Sequence, residues 1–411
     1  MARRGCHRID VNVDLFLPCA QGVEALLADE CPRILGAGAR VGEQRGGVTV
    51  RGDERAAMQL NLECRLAQRV LWPLAHGPYG NELDLYELAR TVDWRQWISP
   101  RQTLRVDTTA QRSPLKSLNF ATLRVKDAVC DALRDATGER PSVDTRHPDL
   151  PLSLHLSPTH ATLYADTSGE ALFKRGWRDA GALKGEAPLK ETLAAAMLAA
   201  AGWQGREQDG PLFDPCCGAG TIAIEAAQIA CGIAPGANRR FAFESLAPWR
   251  AHQAAWRELR EAARSRVHTS ALPIFAGDVS FRMTDFATRN AERAGVRAAI
   301  DFKTADALQR PPPTPAGTMV LNPPYGERIE AKGSGAGRQS IEGGGTPAEF
   351  FAALAAHWKR NYPGWTAWVL TPEMKLPSLM RLKESRRVPL WNGPIECRLF
   401  RFDMVAGSAR R

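Results

Sequence analysis

The sequence predicts an α/β protein: a mostly parallel, doubly wound sheet in its C-terminal part, preceded by a smaller α+β region. Three observations predict it. After residue 189, short apolar runs alternate with helical stretches, at 211–214 (PLFD), 273–278 (PIFAGD), 299–306 (AIDFKTAD), 318–322 (TMVLN) and 366–371 (TAWVLT). That is the texture of parallel strands covered on both faces. Before residue 170, strand-like and helical runs are mixed without that regularity. Four of the apolar runs end on Asp214, Asp278, Asp306 and Asn322, and such sheets bind ligands beyond the carboxyl ends of their strands. The 411 residues suit two or three domains, read as 12–170 for the α+β region, 171–188 for a linker and 189–405 for the sheet domain.

In the first region, residues 48–53 (VTVRGD) follow a Gly-Gly turn and read as a strand, as do 104–109 (LRVDTT). Residues 152–156 and 161–166 read as a hairpin across Ser-Pro-Thr-His. Helical patterns cover 22–30 and 120–136; in the latter Leu123, Val125, Val129 and Leu133 form the expected buried stripe. Residues 190–202 (KETLAAAMLAAAG) read as a helix ended by Gly202. The glycine-rich segment 331–346 lies beside the expected site, as a lid or a plain loop.

No run of about 18 apolar residues occurs and no apolar core follows the basic start, so neither a membrane span nor secretion is expected. Nine cysteines, an odd number with no CxxC pair, suggest reduced thiols in a cytoplasmic protein without a zinc site. No catalytic metal is expected. The net charge of +9 favours a polyanionic partner.

Residues 213–221 (FDPCCGAGT) read as a strand, a sharp loop and the start of a helix, with Asp214, Cys216, Gly218, Gly220 and Thr221 as candidate cofactor contacts. The glycines let backbone approach a ligand. The third glycine of a dinucleotide loop is missing, and Asp214 would repel a pyrophosphate. An acid there suits a cation, the amino group and sulfonium of S-adenosylmethionine. Asp278 is placed to accept ribose hydroxyls, and Asp306 to accept from the adenine amine, with a turn residue as the plain reading of each. The excess spacing between Asp214 and Asp278 is a helical insertion around 249–266.

Residues 321–328 (LNPPYGER) are the sharpest signal. Asn322, Pro323, Pro324 and Tyr325 follow an apolar strand, and the prolines fix the direction of the backbone carbonyls. An exocyclic base amine is a poor nucleophile because its lone pair is delocalised into the ring. If the Asn322 side-chain oxygen and the Pro323 carbonyl accept its two N–H bonds, the nitrogen can pyramidalise and aim at a methyl group. Tyr325 offers a face on which to stack the base.

With both motifs placed, the chain resembles the bacterial 23S ribosomal RNA guanine-N2 methyltransferase family, which joins a THUMP RNA-binding domain to a class I, Rossmann-like methyltransferase domain. The likeness runs from about residue 16 to 397 and includes QGVEALLADE, GGVTVRGD, RVKDAVCDALR, KRGWRDAG, PLKETLAAAML, DPCCGAGTIAIEAA and LNPPYGERI. It implies a ferredoxin-like and THUMP N-terminal region, with Arg112, Lys116, Arg124 and Lys126 as phosphate contacts. It places Lys190, Glu191 and Thr192 near the methionine end of the cofactor. The target it implies is guanine N2 of 23S rRNA, naked or in a large-subunit precursor, with the base looped or flipped out. Two departures stand out. Ser280 replaces the second acid that the family often carries after its ribose-binding one. Some members carry a second methyltransferase domain, which would here come from another protein. Rival readings are tRNA guanine N2, adenine N6 or glutamine amide methylation by the same Asn-Pro-Pro-Tyr chemistry, and an RNA-binding assembly factor. Oligomeric state is not legible.

Overall fold

Alternation of apolar and polar residues along the strands builds the first sheet, and the apolar central strands Leu212–Asp214, Gly317–Leu321 and Trp365–Thr371 are the heart of the second. A computed structural model of the protein describes residues 12–178, 189–323 and 346–405. The chain forms two units. The first comprises residues up to Cys19, Leu27–Leu172 and Arg239–Glu261; the second takes Ala20–Leu26, Phe173–Asn238 and Ala262–Arg411. The insertion that follows the glycine loop thus belongs largely with the first unit. Among the described residues no helix is long and apolar enough to cross a membrane.

The first unit is a mixed sheet of β1 (Val13–Pro18), β2 (Val41–Gln44), β3 (Gly47–Gly52), β4 (Leu71–Pro78), β5 (Thr103–Ala110), β6 (Ser142–Val143), β7 (Leu150–Leu156) and β8 (His160–Asp166). Their order across it is β2-β3-β1-β4-β8-β7-β5-β6. Leu15 and Leu17 of β1, Leu104 and Val106 of β5, and Leu152, Leu154 and Leu156 of β7 are buried at every second position. A sheet with one buried face reads this way. Helices α1 (Glu24–Leu35), α2 (Glu54–Glu63), α3 (Glu82–Arg90) and α4 (Leu118–Thr137) complete the unit. Residues 48–53, 104–109 and the hairpin fall in β3, β5 and β7–β8, as their patterns predict. On α4 Val125, Val129 and Leu133 are buried with Ala121 and Ala128. Leu123 is not; it is 41 % exposed, because the buried stripe is completed by alanines and turns that position outward.

The second unit is built on β9 (Leu212–Asp214), β10 (Ile274–Asp278), β11 (Ile300–Thr304), β12 (Gly317–Leu321), β13 (Trp365–Thr371), β14 (Arg386–Asn392) and β15 (Ile395–Asp403). Helices α5 (Glu191–Ala201), α6 (Thr221–Ala230), α7 (Gln253–Ser265), α8 (Phe281–Arg293), α9 (Pro347–Asn361) and α10 (Leu376–Met380) follow in chain order, with much of α7 lying in the insertion. The sheet order is β11-β10-β9-β12-β13-β15-β14. β9 to β13 run parallel, and β15 pairs antiparallel with both β13 and β14. The chain winds outward from β9 through β10 to β11, then crosses back to β12 on the other side. The gap between β9 and β12 is therefore a topological switch point, where an open α/β sheet forms its ligand crevice. Sequence periodicity gives the five parallel strands but not the β14–β15 hairpin, whose two-residue Gly393-Pro394 turn, glycine first, is the overlooked signal.

Two buried ion pairs brace the segment before α5. Arg175 Nε donates to Glu225 Oε1 of α6 at 3.0 Å with both side chains almost fully buried. Arg178 donates to Glu191, the first residue of α5, at 2.5 Å. Breaking a buried pair from one side strands a charge in a low dielectric. Glu225→Ala should therefore cost about 3–5 kcal/mol. Asp285→Ala, which breaks the exposed Asp285–Arg289 pair, should change stability by less than about 1 kcal/mol. Urea unfolding midpoints of the two variants check the contrast.

Candidate cofactor and target-base site

Strand register brings the candidate residues to one edge. β9 is three residues long and wholly buried, and it delivers Asp214 at its end. Asp214 lies level with Ala276 of β10, so Asp278 lies two residues further out. On the other side Met319 of β12 is level with Phe213, which carries Asn322 past the sheet edge next to Asp214. Asp278, Asp214 and Asn322 thus lie at the carboxyl ends of three adjacent strands, β10, β9 and β12, which stand about 4.8 Å apart.

Asp214 is 1 % exposed. Its Oδ1 accepts from the Cys216 backbone N–H at 3.2 Å, and its Oδ2 has no partner. Burial pushes this carboxyl well above the usual carboxylate range, and the nearby Asp278 adds to the effect. A buried acceptor left empty is destabilising unless a ligand fills it. Gly218 has φ +50, and the nearest atom that a Cβ there would meet is the end of the flexible Met283 side chain at 3.9 Å, so the loop presents open backbone. An unfilled acidic acceptor beside open backbone fits a cationic ligand such as the methionine end of S-adenosylmethionine.

The two glycines divide their labour. Gly220 also sits at positive φ, but a Cβ there would meet Ala287 Cβ at 3.0 Å. Its smallness serves the packing of the loop against α8, whereas that of Gly218 faces open space. The loop is pinned further by Cys217 N–H donating to the Gly277 carbonyl at 2.7 Å and by Gly218 N–H donating to Asp278 Oδ2 at 3.0 Å. Burial, and after it the nearby Asp214 and Asp278, push the Cys216 and Cys217 thiols up.

Asp278 is engaged by the chain at both oxygens, since Ser280 N–H also donates to its Oδ1 at 2.9 Å. Each oxygen keeps lone-pair capacity for a ribose hydroxyl. Asp306 lies two residues beyond β11, in a turn: Oδ1 accepts from Leu308 N–H at 2.8 Å and Oδ2 from Gln309 Nε2 at 3.2 Å. That is the geometry of a turn-capping aspartate.

At the start of α5, Glu191 and Thr192 are buried, and the Lys190 ammonium sits 5.2 Å from the centroid of the Phe173 ring. Burial pushes the Glu191 carboxyl up, against the pull of Arg178. Arg178 is the residue that sequence reasoning missed. Its Nη2 donates to Thr221 Oγ1 at 2.6 Å and to the Leu189 carbonyl at 3.0 Å. It thereby ties the first turn of α5 to the first turn of α6, where the glycine loop ends. Its place directly after KRGW, next to Trp177 and three residues past Arg175, held no signal of that reach.

Asn322 is partly buried, and its Oδ1 has no partner. Pro323 is buried beside it. Pro324 and Tyr325 lie outside the described residues, as do 331–345 of the glycine-rich segment. Of the candidate phosphate contacts, Arg112, Lys116 and Arg124 are exposed, whereas Lys126 is engaged by Asp127 at 2.7 Å.

The empty Asp214 acceptor has a pH signature. Its folded pKa is raised above the unfolded value of about 3.9, so the unliganded fold holds the proton more tightly than the unfolded chain. That contribution to stability is fully present below the unfolded pKa and is lost as pH rises toward the folded one. Asp214→Asn removes the dependence. Near neutral pH the unliganded variant should therefore melt above the wild type, while its affinity for S-adenosylmethionine falls by about tenfold or more through loss of a charged acceptor. Thermal melts across pH and titration calorimetry measure the two effects, and wild-type affinity should rise with pH.

Residues 175–401 match the family UPF0020, described as the RMKL-like methyltransferase domain. Residues 79–166 match the THUMP domain and 14–71 the RlmL ferredoxin-like domain. The ribosomal RNA large subunit methyltransferases K/L of Shewanella amazonensis and Syntrophotalea carbinolica are 37% and 38% identical, each over 97% of this chain and 54% of their own length. The chain thus spans about half the length of the curated relatives it matches. The crystal structure of SMU.472, described as a methyltransferase complexed with SAH, superposes with a TM-score of 0.82 at 25% identity, covering 96% of this chain and 99% of that one. The fold is that of class I, S-adenosylmethionine-dependent methyltransferases, preceded by ferredoxin-like and THUMP domains, and the chain belongs to the RMKL-like methyltransferase family.

Proposed function

We propose that the protein methylates the exocyclic N2 amine of a guanine in large-subunit ribosomal RNA, using S-adenosylmethionine. The observation that carries this reading is the unpartnered, buried Asn322 Oδ1 at the switch point next to Asp214. An exocyclic amine has one N–H for that acceptor and a second for the neighbouring Pro323 carbonyl, whereas a hydroxyl fills only one of the two and a carbon nucleophile neither. The THUMP match and the relatives named ribosomal RNA large subunit methyltransferase K/L support RNA as the substrate. Guanine N2 rests on the resemblance of KRGWRDAG and PLKETLAAAML to their family.

The cofactor, when bound, supplies a methyl group on a sulfonium centre. Asp214 holds its cationic end, with Gly218 opening the backbone and Lys190, Glu191 and Thr192 flanking the methionine part. Asp278 accepts from the ribose. Asp306, already occupied within its turn, shapes the adenine wall more than it bonds to it. Asn322 Oδ1 and the Pro323 carbonyl accept the two N–H bonds of the target amine, draw it out of the ring plane and direct its lone pair. From the sequence alone, Pro324 is given the role of restricting the residue before it and Tyr325 that of stacking the base.

Purified protein incubated with labelled S-adenosylmethionine and separate pools of total rRNA and tRNA should place label in N2-methylguanosine of the large rRNA, identified by nucleoside mass spectrometry. Label in N6-methyladenosine, or in tRNA alone, would displace the reading. Asn322→Ala should lower transfer by at least about a hundredfold, as loss of a positioned acceptor does, while cofactor affinity by calorimetry stays within a few-fold. Loss of both together would mean that Asn322 shapes the pocket and does not orient the target.

A further inference from the structure

The start of α4 carries a surface that the cofactor crevice leaves unexplained. Between Asp107 and Asp127 the sequence holds Arg112, Lys116, Arg124 and Lys126 and no acidic residue. Within that stretch Leu118, Phe120 and Leu123 are 38%, 43% and 41% exposed. Three large apolar side chains within six residues, outside the core, are unusual on a soluble surface. The helix does not need them for packing, because Ala121, Val125, Ala128, Val129 and Leu133 form its buried face.

The local geometry is built. Phe120, Leu123 and Arg124 share one helix face by their three- and four-residue spacing. The Arg124 guanidinium lies 4.9 Å from the centroid of the Phe120 ring. Tyr79 Oη donates to Ser113 Oγ at 2.8 Å or to the Ser157 carbonyl at 2.7 Å, which moors the preceding loop to β7. Ser117 Oγ accepts from Phe120 N–H at 3.2 Å and fixes the helix start. Arg112 and Lys116 are exposed on that moored loop.

We infer that this surface is a stacking platform for an unpaired base of single-stranded RNA. The Phe120 ring, backed by Arg124, receives the base; Leu118 and Leu123 flank it, and Arg112 and Lys116 take the adjoining phosphates. Aromatic rings bind bases through π-faces regardless of sequence, and cations beside them hold the backbone. The absence of acid over this whole stretch favours a polyanion over a protein partner. The inference rests on RNA being the substrate and adds where on the first unit it is gripped.

The test is fluorescence anisotropy of a short, labelled single-stranded RNA with the full chain. Phe120→Ala should weaken binding by about tenfold or more, and Phe120→Trp should bind at least as tightly as wild type. Arg112→Ala and Lys116→Ala should each flatten the dependence of log affinity on log salt by about 0.7. Melting temperature and S-adenosylmethionine affinity should not move in any of these variants. RNA bound by the wild type with undiminished affinity in Phe120→Ala would overturn the platform and leave the RNA reading intact. Failure of the wild type to bind RNA at all would overturn the RNA reading itself. Unchanged RNA binding with altered self-association would assign the surface to a protein contact instead.

Discussion

A carboxylate held in the dry interior with one oxygen unsatisfied is the constraint around which the second unit is arranged. Asp214 reaches that position because β9 is short, fully buried and flanked on both sides by parallel neighbours. Among the described residues one backbone N–H is all that compensates it. Placing a second acid, Asp278, nearby makes matters worse electrostatically, yet that acid is what pins Gly218. The unliganded protein thus carries an electrostatic penalty that a cation relieves, the usual trade of stability for function at a binding site.

The surroundings of this acid are correspondingly stiff. Arg175 and Glu225 neutralise each other inside the unit, and Arg178 links Glu191, Leu189 and Thr221 across three segments. Among the described residues three buried side-chain oxygens lack a hydrogen-bond partner, Asp214 Oδ2, Asn322 Oδ1 and Gln228 Oε1, and the first two lie at the carboxyl edge of the parallel strands. Their chemistry differs. One is anionic and suits a cation, and the other is a neutral amide oxygen that orders an N–H without pulling its proton away. In the proposed reaction these would be the electrophilic cofactor and the weakly nucleophilic amine.

Much of this was legible in the sequence because it rests on residues whose types are rarely interchangeable. Asp214, Gly218 and Asn322 each sit at a strand end or loop where only a few residue types do the work. Asp306 was less legible: an aspartate after a strand looks the same whether it awaits a ligand or caps its own turn, and here Leu308 and Gln309 already occupy it. Leu123 failed for a related reason, since alanines can complete a buried stripe and leave a leucine outside. Arg178 was hidden because its partners lie 11 to 43 residues away in sequence. The division of the chain was hidden too, as contacts over such separations leave no trace in local periodicity.

The path of the chain between β9 and β10 has a consequence for how the molecule is made. Residues 239–261 lie within the first unit, where Trp249 packs edge-on against Trp72 at 5.3 Å and donates from its indole to the Glu54 carbonyl. Phe243 N–H donates to the Thr167 carbonyl in the same unit. During synthesis the N-terminal unit therefore waits for a stretch encoded beyond the glycine loop before its tryptophan cluster can close. Growth from the ribosome proceeds at about 5–20 residues per second, so that wait lasts several seconds with apolar surface uncovered. The N-terminal unit is thus the first begun and not the first finished.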